Sequence, residues 1–399
     1  LDLVVSTERL NRILDLDAAN LSVTAQAGVK FKNLQTALAD QENRCYFPLE
    51  AEGIPSKDTV CSERANMGCF VPLWPPHIET ATVGGVLAAN TSGPMRHLYG
   101  TPRDVVLGIR YVGADGSIVS TCGKTVKNVS GYDMGKLMIG SMGTLGLFCD
   151  ITLRLLPIPE RRQTVVVAFK DLVLAQSVAE MLTAGALNPA AVEIVQGRNA
   201  GSIPLDGFSG DDGVSCHLCV ALEGVEETVE RMSGEIQSAA VRCEARSTIL
   251  EEPEHMRFWY AYSDMKDLLG GQASIAASAK ANFPISEYPG LLEKAYLLSE
   301  EFHVDYLATV RAGSGIGRFY FFGAEDAPDA SGGLETMLTG LLDYCYARGG
   351  NLVLEGARPL FERMPPWGQP PQDLIVMKRI KEQLDPLGLF SPGRFVGDI

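Results

Sequence analysis

Two stretches concentrate the residues that bring main chain close to a ligand. The first runs Thr82-Val83-Gly84-Gly85-Val86-Leu87-Ala88-Ala89-Asn90-Thr91-Ser92-Gly93, the second Gly140-Ser141-Met142-Gly143-Thr144-Leu145-Gly146. Both are built from glycine and small hydroxyl residues, which turn through positive φ and leave no Cβ in the way of a bound group. Successive N–H groups in such turns form concavities suited to a pyrophosphate; the plainer alternative is a pair of ordinary turns in a β-rich domain. Five histidines, His77, His97, His217, His255 and His303, are the natural proton acceptors. His97, just after the first stretch, either faces a ligand there or is an ordinary loop histidine, and the rest read as packing or surface. Arg311, Arg318 and Arg358 offer forked guanidinium groups that match a carboxylate. Cys216-His217-Leu218-Cys219 has metal-ligand spacing, but in a strand residues three apart point to opposite faces, so no metal site is expected. Cys61 and Cys69 lie in a loop where two ligands do not make a site, and an iron–sulfur cluster needs four cysteines. Gly313-Ser314-Gly315-Ile316-Gly317 imitates a nucleotide loop, yet the strand-like Arg318 to Phe322 follows where a dinucleotide fingerprint needs a helix.

The elements that must position these residues follow from periodicity. Leu1 to Val5 and the alternating Leu21 to Ala27 read as strands, and Phe31 to Leu38 as a short amphipathic helix. Glu50 to Glu79, with Pro55, Pro72, Pro75 and Pro76, is too proline-rich for a regular element; it is a lid, a partner-facing loop or apolar packing on the domain. Leu107 to Val112 is a strand with its turn at Gly113-Ala114-Asp115-Gly116. Pro157 and Pro159 mark a boundary. Beyond it the reading is strand 163–169, helix 171–184, strand 191–196, strand 214–222, helix 225–240 and a last short strand. The order then recurs as strand 274–283, helix 288–301, strand 304–311, strand 317–323, helix 332–348 and strand 351–355. This is β-α-β-β-α-β twice, an antiparallel sheet covered by helices. Met377 to Asp385 is a helix stopped by Pro386.

A chain of 399 residues has room for two or three domains. With 46% hydrophobic and 21% charged residues it is an ordinary globular composition. A formal charge of −15 and the lack of a basic stripe exclude nucleic acid as the expected partner. Nine scattered cysteines suit a reducing compartment, and no apolar run approaches the ~20 residues of a membrane span.

Gly84-Gly85 with Asn90-Thr91-Ser92-Gly93, then Lys127-Asn128-Val129-Ser130-Gly131-Tyr132-Asp133, then Gly143-Thr144-Leu145-Gly146, resembles the PCMH-type FAD-binding domain of the vanillyl-alcohol oxidase superfamily. Within it the chain resembles the FAD-binding subunits of glycolate oxidases. Asp343 to Arg394 resembles the family's closing segment, with Ser391 where Asn is usual. The resemblance implies an α+β fold in three parts. Residues 1–157 form the FAD-binding domain, truncated at its N-terminus because the family's upstream pyrophosphate lobe is not matched. Residues 158–375 form an α+β cap of antiparallel sheet, and 376–399 a strap returning to the FAD domain. It implies FAD as cofactor, with Pro48, Thr82, Val83, Gly84, Gly85, Asn90, Ser92, Gly93, Gly143, Thr144 and Arg394 around it. Catalytic relatives carry histidines in a His-x-Gly-Asp-Gly and a Glu-His-Gly motif of the cap. This chain has Arg311-Ala312-Gly313-Ser314-Gly315 and Glu355-Gly356-Ala357-Arg358 instead, so no catalytic residue is assigned. The implied role is an FAD-binding subunit of a 2-hydroxy-acid-oxidising complex, beside a second flavoprotein and an iron–sulfur protein. Such a complex works in the cytoplasm or, through its partners, at the inner face of a membrane. Two alternatives stay open: a self-sufficient FAD-dependent glycolate or D-lactate dehydrogenase, and a flavin-free assembly subunit.

Overall fold

The structure is a computed structural model. It describes residues 3–17, 19–39, 68–121, 133–197, 200, 203–208, 214–271, 274–323, 332–356, 360 and 363–399. Pro48, Cys61, the run Lys127 to Tyr132, and Arg358 lie outside the described residues. The chain divides into two compact units, Leu1–Ile158 with Pro370–Ile399, and Pro159–Gln369. The second boundary therefore falls at 369/370, not at 375/376.

In the first unit the elements are β1 (Ile13–Asp17), β2 (Ser22–Gln26), α1 (Phe31–Ala37), β3 (Cys69–Phe70), α2 (Val83–Ala88), α3 (Arg96–Tyr99), α4 (Pro102–Val105), β4 (Val106–Val112), β5 (Ile118–Thr121), α5 (Met134–Met138), β6 (Leu147–Arg154) and β7 (Leu156–Pro157). An antiparallel sheet runs β1-β2-β6-β4-β5, and β3 pairs with β7. The expected strand at Leu1 to Val5 does not form over its described part. Leu3, Val4 and Val5 are exposed and pair with nothing described, because an apolar run without a ladder partner leaves its backbone to water. The alternating Ile13 to Asp17 takes the edge position beside β2 instead. The described end of the proline-rich insert is packing rather than a lid. Val71, Leu73 and Trp74 are buried, and the Gln35 amide donates to Val71 O at 2.7 Å and accepts from Val71 N at 3.1 Å.

The second unit contains β8 (Arg161–Phe169), α6 (Leu172–Ala184), β9 (Ala191–Gln196), β10 (Cys216–Gly224), α7 (Glu226–Arg242), β11 (Arg246–Leu250), α8 (Glu254–Ser263), α9 (Met265–Gly270), β12 (Ile275–Asn282), α10 (Tyr288–Phe302), β13 (Tyr306–Arg311), β14 (Ile316–Phe322), α11 (Gly333–Ala347) and β15 (Asn351–Leu354). The closing helix α12 (Leu374–Leu384) belongs to the first unit. Eight strands form one antiparallel sheet in the order β11-β8-β10-β9-β13-β14-β12-β15, so two like halves meet at the β9–β13 seam. Alternate residues such as Val165, Val167, Ile194, Leu218 and Phe319 join α6, α7, α10 and α11 in one apolar core. The intervening positions, Thr164 and Glu193 among them, face the other way, toward α8.

Candidate functional site

Helix α2 forms in spite of two glycines because Thr82 caps it, its Oγ1 accepting from Gly85 N at 3.1 Å. Gly84 is required by packing: a Cβ there would lie 2.8 Å from Ala27 Cβ. The first-turn donors are already used, since Val83 N donates to Val29 O, Gly84 N to Ala27 O and Val86 N to Thr82 O, at 2.8 to 2.9 Å. A pyrophosphate concavity at this turn is therefore not what the glycines make. They make a helix lying flat on the sheet with Gly85 exposed on its open side. Ser92 is buried, and Gly93 has a φ of +73° beneath the Trp74 carbonyl, where a side chain would collide with backbone. Val83 is buried, Asn90 exposed.

The second stretch lies against the first. Gly140 N donates to Leu87 O at 3.0 Å and Met142 N to Ala88 O at 2.9 Å, so it caps the end of α2. Thr144 is buried and its hydroxyl donates to Ser141 O at 2.7 Å. Gly143 is half-buried with a φ of +73°, and a Cβ on it would come no nearer than 3.8 Å to any described atom, that atom being Ser391 Oγ. The closing segment thus returns to this loop, while the Arg394 side chain is exposed. Ser141 Oγ is buried with no hydrogen-bond partner among the described residues. Open glycine faces at Gly85 and Gly143, beside an unsatisfied hydroxyl, fit a flat polar group such as FAD.

On the cap sheet's other face is a buried charge cluster. Arg311 and Glu193 are direct neighbours across the β9–β13 seam, with Arg311 Nε 3.1 Å from Glu193 Oε1. Tyr262 of α8 donates its hydroxyl to Glu193 Oε2 at 2.9 Å. Burial raises the Glu193 carboxyl to about 7, against the opposing pull of Arg311, Tyr262 and Arg318. Arg318 Nε approaches Glu355 Oε2 at 3.4 Å. Ser278 Oγ, on the neighbouring β12, is buried and unpartnered among the described residues. The sequence reading sought proton chemistry in histidines and missed Glu193. Its signal was a lone acid within the apolar strand Ala191-Val192-Glu193-Ile194-Val195.

The histidines are mostly structural. His255 is buried, its Nδ1 2.8 Å from Thr164 Oγ1, which also accepts from Trp259 Nε1 at 2.8 Å. His217 stacks on Phe208 with centroids 4.1 Å apart, and burial lowers its pKa to about 4. His303 has left-handed geometry at the end of α10, and His97 is half-buried on α3. Cys216 faces the helical core, while Cys219 is directly opposite Glu193 on the sheet's other side. Cys69 is in a strand rather than a loop, and burial raises its thiol pKa. Among the described residues no group of three or more His, Cys, Asp or Glu could hold a metal. Gly315, with a φ of +60°, sits in the β13–β14 turn, which accounts for the false nucleotide loop.

Two family matches define the class of this chain as an FAD-dependent oxidoreductase. Residues 2–52 and 53–122 match the FAD binding domain family, and residues 158–395 match the FAD linked oxidases, C-terminal domain. The chain belongs to the FAD linked oxidases. The glycolate oxidase subunit GlcD of Bacillus subtilis (strain 168) is 24% identical over 400 residues, 98% of this chain and 79% of that protein. A D-lactate dehydrogenase of Archaeoglobus fulgidus is 28% identical over 411 residues, 99% of this chain and 81% of that protein. The glycolate oxidase subunit GlcE of Escherichia coli (strain K12) is 32% identical over 148 residues, 37% of this chain and 35% of that protein. The 4-ethylphenol oxidase from Gulosibacter chungangensis has the same fold, with a TM-score of 0.68, 15% identity, and coverage of 97% of this chain and 78% of that one. No helix among the described residues is long and apolar enough to cross a membrane.

Proposed function

We propose that the chain is the FAD-binding subunit of a glycolate-oxidase-like complex that oxidises 2-hydroxy acids. Its partners in this reading are a second flavoprotein and an iron–sulfur protein, in the cytoplasm or at the inner face of a membrane. The observation that carries it is the joining of the two glycine stretches through Gly140 and Met142, in a chain whose sequence has Arg311 where catalytic relatives carry histidine. The stretch of Thr82, Val83, Gly84, Gly85, Asn90, Ser92 and Gly93 forms one wall for FAD, with Gly85 and Asn90 on its exposed side and Val83, Gly84, Ser92 and Gly93 packed behind them. Gly143 and Thr144 form the other, with Arg394 at its margin, and Pro48 is assigned to the cofactor by the sequence resemblance alone. Bound FAD supplies the two-electron acceptor for alcohol oxidation. Thr82 holds α2 in register, and Gly85 and Gly143 keep the approach free of side chains.

One observation favours a second reading, in which the chain is itself a 2-hydroxy-acid dehydrogenase. Glu193 is a carboxyl titrating near neutrality beside a guanidinium, the pairing that proton abstraction and carboxylate binding ask for. The test uses full-length protein alone and with partner subunits, recording the flavin spectrum and turnover of glycolate and D-lactate with an artificial acceptor. Bound flavin with negligible turnover alone, restored in the complex, is the expected result. Turnover by the isolated chain, abolished by Glu193→Gln, establishes the second reading. A colourless protein in both samples leaves only an assembly role.

A further inference from the structure

We propose that Lys381 is a positioning residue for the FAD-facing loop 140–146, setting cofactor affinity from the far end of the chain. This goes beyond the function above and rests on its flavin reading of Gly143 and Thr144. Lys381 is the one buried side chain on the described α12, a helix whose Ile375 and Val376 are exposed. Leu374, Met377, Ile380 and Leu384 are half-buried along one face, and Lys381 goes deeper than any of them. A buried ammonium is costly unless each proton has an acceptor. Here all three do: Lys381 Nζ donates to Asp385 Oδ2 at 2.6 Å, to Phe390 O at 2.9 Å and to Thr144 O at 2.7 Å.

The first two acceptors close a local turn, in which Asp385 also accepts from Leu389 N at 2.9 Å and Phe390 N at 2.8 Å. Burial pushes the Asp385 carboxyl up, but the bonds from Lys381 and the two amides outweigh it and hold it below its ordinary value. The third acceptor lies 237 positions away in sequence and belongs to the loop itself. The loop is thereby held from two sides, by the last carbonyls of α2 at Gly140 and Met142 and by Lys381 at Thr144. Between these anchors stands Gly143, with Ser391 of the same closing segment over its open face. A ligand meeting Gly143 is received by a surface whose height is set by the 381–391 turn.

The test is a flavin titration of the full-length protein by fluorescence quenching, paired with thermal unfolding of the cofactor-free form. Lys381→Met should raise the FAD dissociation constant tenfold or more and alter the visible circular dichroism of bound flavin. Lys381→Arg, which keeps the charge but splays its donors, should fold stably and raise it severalfold. Ile151→Val, a buried change in β6 away from the loop, should lower the unfolding temperature while moving the constant less than twofold. Wild-type affinity and an unchanged spectrum in Lys381→Arg and in any folded Lys381→Met overturn the proposal while leaving the flavin reading intact. Failure of the wild-type protein itself to bind FAD overturns both.

Discussion

Gly84 and Gly85 are adjacent, and the structure gives them opposite jobs. Gly84→Ala drives a methyl into Ala27 and should cost about 1–3 kcal/mol by overpacking, read as a lower urea midpoint. Gly85 is exposed, and a Cβ there would meet only the Thr82 hydroxyl, at 3.1 Å, so Gly85→Ala should cost the cofactor-free protein about 1 kcal/mol or less. Its expected effect is instead at least tenfold weaker FAD binding in the same titration, and unchanged affinity would remove Gly85 from the wall. Glu193 makes a different prediction. Its pKa rises from 4.5 to about 7 on folding, so between those values the unfolded chain ionises while the folded chain keeps its proton. Its stabilising contribution is complete below about 4.5, drains as pH rises and is gone above 7. His217, lowered from 6.5 to about 4, acts in the opposite sense, stabilising above 6.5 and losing that as pH falls. Comparing Glu193→Gln with wild type cancels the histidine. The variant should show the smaller fall in unfolding temperature from pH 5 to 7.5, with Arg311, Arg318, Tyr262 and Cys219 as the surrounding charges and dipoles. Parallel curves would mean that Glu193 stays ionised across this range.

At the scale of elements, α2 depends on its cap. Thr82→Ala should lose about 1 kcal/mol and loosen the first glycine stretch, visible as faster amide exchange at Gly85. The strands of the cap were legible because their apolar residues alternate or run continuously. The helix expected at 171–184 is Leu172–Ala184, begun by an Asp171 cap that accepts from Val173 N at 2.8 Å. Helix α2 was not legible, because two glycines and a Thr read as loop until Ala27 is seen beneath them. Nor were α8 and α9. Their apolar residues Phe258, Trp259, Tyr262 and Met265 are buried against the polar side of a sheet, a surface that helical periodicity does not announce.

At the scale of the whole molecule, the chain is an FAD-dependent oxidoreductase in which the second unit's sheet is built from two similar halves. Joining them at β9–β13 places Glu193 opposite Arg311, two residues 118 positions apart, at the centre of eight strands. A double change, Glu193→Gln with Arg311→Met, should therefore destabilise less than the sum of the singles, since each single change strands a buried group. Equilibrium urea unfolding of the three variants checks this, and additive losses would show the pair to be uncoupled.

Local sequence alone determined most strand and helix positions of the second unit, because apolar periodicity is written between near neighbours, while the FAD-binding class and the absence of both catalytic-type histidines were legible through the resemblance of its motifs to a known family. Only the tertiary structure decided which glycines serve packing and which stay open, that Glu193 titrates near neutrality, and that Lys381 reaches Thr144. Those properties arise where distant segments meet, since desolvation, close approach and the sharing of a buried proton depend on what lies across the gap.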